Sequence, residues 1–381
     1  MSQENGGPVA GGSANPLVQL AGLGQSPWLD FITRDLLASG ALERMIEQDG
    51  LRGMTTNPTI FEKAIGDGDQ YDADIRRLAE QGLAAAQVYE ALAVADVRRA
   101  CDLFQVVFDR THGQDGYVSI EVSPTLAYDA EATIREARRL WAAVERQNAM
   151  IKIPGTEEGL RAVEKCLALG INVNITLLFS VTRYERVIAA YFAGLQQRLV
   201  RNMPLDRLAS VASFFVSRVD SKVDPMLAKI GAPDALALQG TIAIANAQVA
   251  YERFEQAFRG SDWRVLARKG ARPQRPLWAS TSTKNPAYAE TMYVEALIAQ
   301  HTVNTLPPDT LAAYRDHGSP AVRIPAHIPE ARRRLETLGG LGIDLAVVTD
   351  ELEKEGVEKF AASYAALLTV VEQKATQLTR V

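Results

Sequence analysis

Lys152 stands in the middle of "NAMIKIPGTEEG" (Asn148–Gly159), whose apolar core reads as a buried strand. Stripping water from an ammonium is unfavourable, so lysine is seldom fully buried without a partner. Such a lysine reaches out at a strand end, pairs with a carboxylate, or loses its proton and acts as an amine. Neighbouring runs supply the company it would keep, because side chains on a strand alternate between faces. In "VSIEVSP" (Val118–Pro124) Val118, Ile120 and Val122 share one face, and Ser119, Glu121 and Ser123 the other. In "VNITLLFS" (Val173–Ser180) Val173, Ile175 and Leu177 oppose Asn174 and Thr176, and in "PWLDFIT" (Pro27–Thr33) Leu29 and Phe31 oppose Asp30.

The outer face of a parallel strand packs on helices and must be apolar. The polar faces therefore point inward, and Asp30, Glu121, Lys152, Asn174 and Thr176 converge from four strands. The alternative is an ionic network that merely fills the interior. Desolvation offsets most of the attraction in such a network, so five inward polar residues are a poor way to stabilise a core. Burial disfavours the charged form of an amine, and a neutral lysine can attack a ketone to form a Schiff base. Carbon–carbon cleavage then needs a base for the sugar C4 hydroxyl and an acid/base for carbinolamine dehydration and imine hydrolysis. Two carboxylates and a hydroxyl that holds a water meet that need. The iminium is itself the electron sink, so neither metal nor cofactor is expected.

The elements that must position these groups are legible as eight strand-like runs. Besides the four above, with Lys152 on "AMIKIPG" (Ala149–Gly155), they are "GMTTN" (Gly53–Asn57), "SVASFFVSR" (Ser210–Arg218), "LWASTS" (Leu277–Ser282) and "HTVNTLP" (His301–Pro307). Amphipathic, helix-patterned stretches such as "AEATIREARRLWAAVERQ" separate them. Eight strands alternating with helices predict an α/β fold, a (β/α)8 TIM barrel with additional helices, whose site lies at the C-terminal strand ends. Asn57 and Pro58 predict a helix start, and Thr182 with Glu185 a capping box. A single barrel domain is expected over 18–381, with a helical insertion near 61–108 and a C-terminal helical region near 330–379, a candidate cover for the barrel mouth. The Gly-, Ser- and Pro-rich stretch 1–17 reads as a disordered leader without signal-peptide character.

The chain has 381 residues, 47% apolar and 23% charged, with a formal charge of -5. No basic stripe points to nucleic acid, and no apolar run reaches membrane-spanning length. Cys101 and Cys166 lie far apart, and His112, His301, His317 and His327 are scattered. Neither a disulfide framework nor a metal cluster is expected, and a reducing cytoplasm is. Nothing in the sequence indicates an oligomeric state.

Taken in order, "GMTTNPTIFEKAI", "VSIEVSP", "IKIPGTEEGLRAVE", "GINVNITLLFS" and "ASFFVSRVDSKVDP" resemble the transaldolases, in their longer bacterial form, within the class I Schiff-base aldolases. The resemblance runs from about Pro27 to beyond Thr305. It implies transfer of a dihydroxyacetone unit from sedoheptulose 7-phosphate to glyceraldehyde 3-phosphate, giving erythrose 4-phosphate and fructose 6-phosphate. It further implies Lys152 as the Schiff-base lysine, Asp30 as the base at the C4 hydroxyl, Glu121 acting through a water, and Thr176 holding that water. Asn57, Asn174 and Ser213 match residues that hydrogen-bond the dihydroxyacetone hydroxyls, and Arg218 matches a phosphate arginine. After the seventh strand many transaldolases read A-S-F-R where this chain has "ASTSTKNP". Lys284 is the candidate for the second phosphate contact there, with Ser280 and Ser282 beside it; lysine serves as a point charge without arginine's fork. The rival within the resemblance is a fructose-6-phosphate aldolase, a lyase releasing free dihydroxyacetone. That family tends to carry glutamine and tyrosine where this chain has Glu121 and Phe215, which favours transfer.

Overall fold

A computed structural model describes residues 15–379. Eight strands, β1 (Gln25–Asp30), β2 (Gly53–Thr55), β3 (Tyr117–Glu121), β4 (Ala149–Pro154), β5 (Val173–Leu178), β6 (Ser210–Phe215), β7 (Arg275–Ala279) and β8 (Thr302–Leu306), pair in parallel and close in chain order. Each predicted run falls on one of them, and the barrel expectation holds. The outer apolar residues Ile120, Ile151, Ile153, Val173 and Ile175 are at most 2% exposed. Burying such a side chain contributes roughly 1.5–3 kcal/mol, so the wall is held from outside by its helices.

Register fixes the inner layers. Glu121 lies opposite Lys152, Lys152 opposite Asn174, and Asp30 opposite Thr55. Toward the N-terminal end of β1, Trp28 fills the interior: a Cβ on Gly53 would come within 2.5 Å of its ring. Only glycine lets the indole lie there, and it floors the space beneath Asp30.

Strand alternation breaks once. Ile175 pairs with Ala212 and Leu178 with Phe214, three steps on β5 against two on β6. The extra residue is a β-bulge, with Leu177 at φ 60. Leu177 therefore does not share the outer face with Val173 and Ile175, as alternation predicts. Its side chain lies against Gly356 instead, on the last helix, Leu345–Thr379.

Helix ends follow local chemistry. Asn57 caps the helix Pro58–Gly66, its side chain accepting from Ile60 N at 3.1 Å. The predicted capping box is displaced: Ser180, not Thr182, caps Val181–Val200, accepting from Arg183 N at 2.9 Å. Thr182 falls inside the first turn, where it cannot serve as the cap. Three helices, Pro58–Gly66, Asp72–Glu80 and Ala85–Arg110, connect β2 to β3. The chain ends in two further helices, Ile324–Gly340 and Leu345–Thr379. Of the stretch read as a leader, residues 1–14 lie outside the described residues. Asn15 to Leu17 begin a helix, Pro16–Gly22, with Leu17 buried, so those three are not leader. Among the described residues no helix is long and apolar enough to cross a membrane.

Candidate active site

β4 ends in proline, and the two isoleucines flanking Lys152 turn outward, so the Lys152 side chain can only enter the barrel. There its Nζ lies 3.3 Å from Glu121 Oε2 and donates to the Thr56 carbonyl at 3.1 Å. Lys152 is 4% and Glu121 8% exposed, so little water screens the pair. Burial pushes the Glu121 carboxyl up to about 7, against the pull of Lys152. Asp30 is likewise raised by burial, opposed by the charge of Lys152 and a hydrogen bond from Thr55. Thr55 Oγ1 donates to Asp30 Oδ1 at 2.7 Å and lies 2.6 Å from Thr305 Oγ1. A carboxyl poised near neutrality can give a proton at one step and take one at another.

On the opposite side of Lys152 the polar groups form a chain. Ser213 Oγ donates to Asn174 Oδ1 at 2.6 Å, and Asn174 Nδ2 donates to Ser119 Oγ at 3.0 Å. Asn174 is thereby held with both ends of its amide oriented. Thr176 Oγ1 is fully buried and has no hydrogen-bond partner among the described residues. A buried hydroxyl in that condition is unusual and is suited to a small polar guest.

A cavity of about 460 Å³ opens from this layer to the C-terminal face. Asp30, Asn57, Lys152, Thr176 and Ser213 line its depth, and Arg218, Lys284, Ser280 and Ser282 its outer part. Glu121 and Asn174 lie behind this lining, in contact with Lys152 and Ser213 respectively. Arg218, in the first turn of the helix after β6, stacks over Phe215 with its guanidinium carbon 5.2 Å from the ring centroid. Lys284 Nζ donates to Ser282 Oγ at 2.7 Å. Ser280 holds a left-handed φ of 56 and its hydroxyl lies 3.0 Å from Ser217 Oγ.

All nine candidate residues thus gather at one end of the barrel, seven at and around Lys152 and two cations further out. Others there escaped the sequence reading. Thr55 and Thr305 sit at inward positions, and extending the alternation to β2 and β8 would have found them. Phe360, from the last helix, has its ring centroid 5.6 Å from Lys152 Nζ, and Lys359 lines the rim. No local pattern marks either, since their place depends on how a distant helix packs.

An amine paired with one carboxylate, a second carboxylate across the cavity and oriented hydroxyl-binding groups can make and cleave an imine. The chain is also similar to known proteins. Residues 27–371 match the model of the family described as Transaldolase/Fructose-6-phosphate aldolase. A protein named Transaldolase from Acidothermus cellulolyticus is 51% identical over 369 residues, covering 96% of this chain and 98% of that one. Those of the same name from Frankia alni and Thiobacillus denitrificans are each 48% identical, covering 95% and 92% of this chain and 98% and 97% of their own. On a match that spans the whole barrel, this chain belongs to the transaldolase/fructose-6-phosphate aldolase family.

Proposed function

We propose that the protein acts as a transaldolase of the pentose phosphate pathway, passing dihydroxyacetone from sedoheptulose 7-phosphate to glyceraldehyde 3-phosphate through an imine on Lys152. The observation that carries this reading is the buried 3.3 Å pairing of Lys152 with Glu121, with Asp30 lining the same cavity as Lys152. The names of the relatives support the transfer reaction.

In this mechanism the Lys152 amine attacks the ketose C2 carbonyl and forms a carbinolamine. Glu121, through a water held by Thr176, gives the proton with which the carbinolamine oxygen leaves as water. Asp30 then takes the proton of the C4 hydroxyl. The C3–C4 bond breaks, its electron pair moves into the iminium, and the aldehyde product departs. The enamine left on Lys152 attacks the acceptor aldehyde, Asp30 returns the proton, and water releases the new ketose. Asn57, Asn174 and Ser213 hold the dihydroxyacetone hydroxyls, and Arg218 and Lys284 the phosphate. Oriented donors of this kind act without reorganising as charge develops.

We take residues 18–381 as one barrel domain with a helical insertion near 61–108 and a C-terminal helical region near 330–379. A reducing cytoplasm suits the two buried free thiols, Cys101 and Cys166.

Borohydride added with fructose 6-phosphate should trap an adduct on Lys152, located by mass spectrometry, and Lys152→Ala should neither trap nor turn over. Label on a different lysine would refute the mechanism. Free dihydroxyacetone released at a substantial rate without an acceptor would instead assign the lyase reaction.

A further inference from the structure

The last helix presents one face to the barrel mouth. Gly356, Lys359, Phe360 and Ser363 recur at helical spacing along that face. Gly356 brings the helix close: a Cβ there would stand 3.1 Å from Leu177 Cδ2 and 3.7 Å from Arg218 Nη1. Ser363 Oγ accepts from Thr59 Oγ1 at 2.9 Å across the mouth. Phe360, 5% exposed, also contacts the Arg218 guanidinium, whose carbon lies 5.9 Å from its ring centroid against 5.2 Å for Phe215. Between these anchors Lys359 borders the same cavity as Arg218 and Lys284.

Besides Lys152, four cations border this opening: Arg218, Lys284, Lys359 and, from the helix Pro58–Gly66, Lys63; the first three converge, since the charges of Arg218 and Lys359 both act on Lys284. Among the described residues none of the three has a carboxylate within ion-pair distance. Glu355, whose field reaches Arg218, is paired with Lys222, and Asp309 is the acidic residue on the cavity lining besides Asp30. Burial and the fields of Arg218 and Lys359 together lower the Lys284 pKa, as expected where like charges converge. Such a gathering is unfavourable in the free protein and is relieved by a dianion.

We propose that Lys359 is a third phosphate-binding cation of the active site, delivered by the last helix, and that the sugar's phosphate ties this helix over the mouth. The inference rests on the transaldolase reading and deepens it. The competing possibility is a rim lysine that only solvates the helix.

The test compares fructose 6-phosphate with fructose, reading kcat/KM and the concentration dependence of borohydride trapping on Lys152. A charge-assisted contact to phosphate predicts that Lys359→Gln lowers kcat/KM for the phosphorylated sugar about tenfold more than for fructose. Inhibition by inorganic phosphate should weaken in parallel, and Lys359→Arg should restore both. Equal losses for the two sugars would assign Lys359 to helix packing and overturn the proposal, as would unchanged inhibition by phosphate. Absence of trapping on Lys152 in the unsubstituted enzyme would instead strike the underlying reading, so the two failures are separable.

Discussion

At the scale of single residues, the site trades stability for chemistry. Glu121 and Lys152 offset each other's charge, yet each has lost its water, and a buried pair of this kind gives little net stabilisation. Thr176 makes the same point with a neutral group: its Oγ1 is buried without a partner among the described residues. A buried hydroxyl left unpaired costs about 1–3 kcal/mol, whereas valine fills nearly the same volume without one. Thr176→Val should therefore keep or raise the melting temperature. If the hydroxyl holds the water through which Glu121 acts, the same variant should slow imine formation and hydrolysis about a hundredfold, the lower range for losing an acid/base device. Single-turnover trapping and thermal melts separate the two effects. Loss of stability with normal chemistry would make Thr176 ordinary barrel filling. The inward set was legible in the sequence because a parallel strand leaves one face free to be polar, and Asp30, Glu121, Lys152, Asn174 and Thr176 occupy it. Alternation failed at Leu177, where nothing in "TLLFS" marks a bulge.

At the scale of elements, the helix that carries Arg218 is anchored by an acid. Asp220, 1% exposed, accepts from Ala243 N at 2.7 Å and Tyr293 Oη at 2.9 Å. It thus joins the helix Ser217–Ile230 to Ile242–Arg259 and Met292–Ala296. Burial raises its carboxyl to about 7, so folding favours the protonated form. The sign follows: the contribution is complete below the unfolded value of 3.8, fades as pH rises, and is lost above about 7. A tenfold change in proton affinity between the folded and unfolded chain corresponds to about 1.4 kcal/mol. Asp220→Asn, which cannot ionise, should flatten the fall in melting temperature between roughly pH 4 and 7. The variant should be relatively more stable at pH 8 than at pH 4 when each is compared with the parent. Parallel melting curves across that range would exclude Asp220 as the source. Sequence pattern placed this helix after the sixth strand, but Asp220 looked like any helix charge. Its burial depends on two helices met later in the chain.

At the scale of the whole molecule, the barrel was legible, and the residues by which the last helix covers it were not. Eight strands announce themselves because each is short, apolar on its outer face and bounded by helix-patterned sequence. The approach of the last helix to the mouth is set by packing between residues more than 100 positions apart, and no local preference encodes it. Two glycines in helices show what that packing demands. A Cβ on Gly339 would meet nothing within 4 Å, while one on Gly356 would press on Leu177 and touch Phe179 and Arg218 at ordinary contact distance. Replacing a helix glycine by alanine gains up to about 1 kcal/mol when nothing opposes it. Gly339→Ala should take that gain, seen as a higher melting temperature with unchanged kinetics. At Gly356 the 3.1 Å contact is tighter than side chains normally tolerate, and the Leu177 side chain it meets is 1% exposed, with little room to turn aside. The helix, not the barrel wall, must then yield. Gly356→Ala should show little or no thermal gain and a several-fold higher KM for fructose 6-phosphate, because Phe360 and Lys359 are carried outward with the helix. Equal thermal gains at both positions, with KM unmoved, would mean that the last helix can shift without consequence for the mouth it covers.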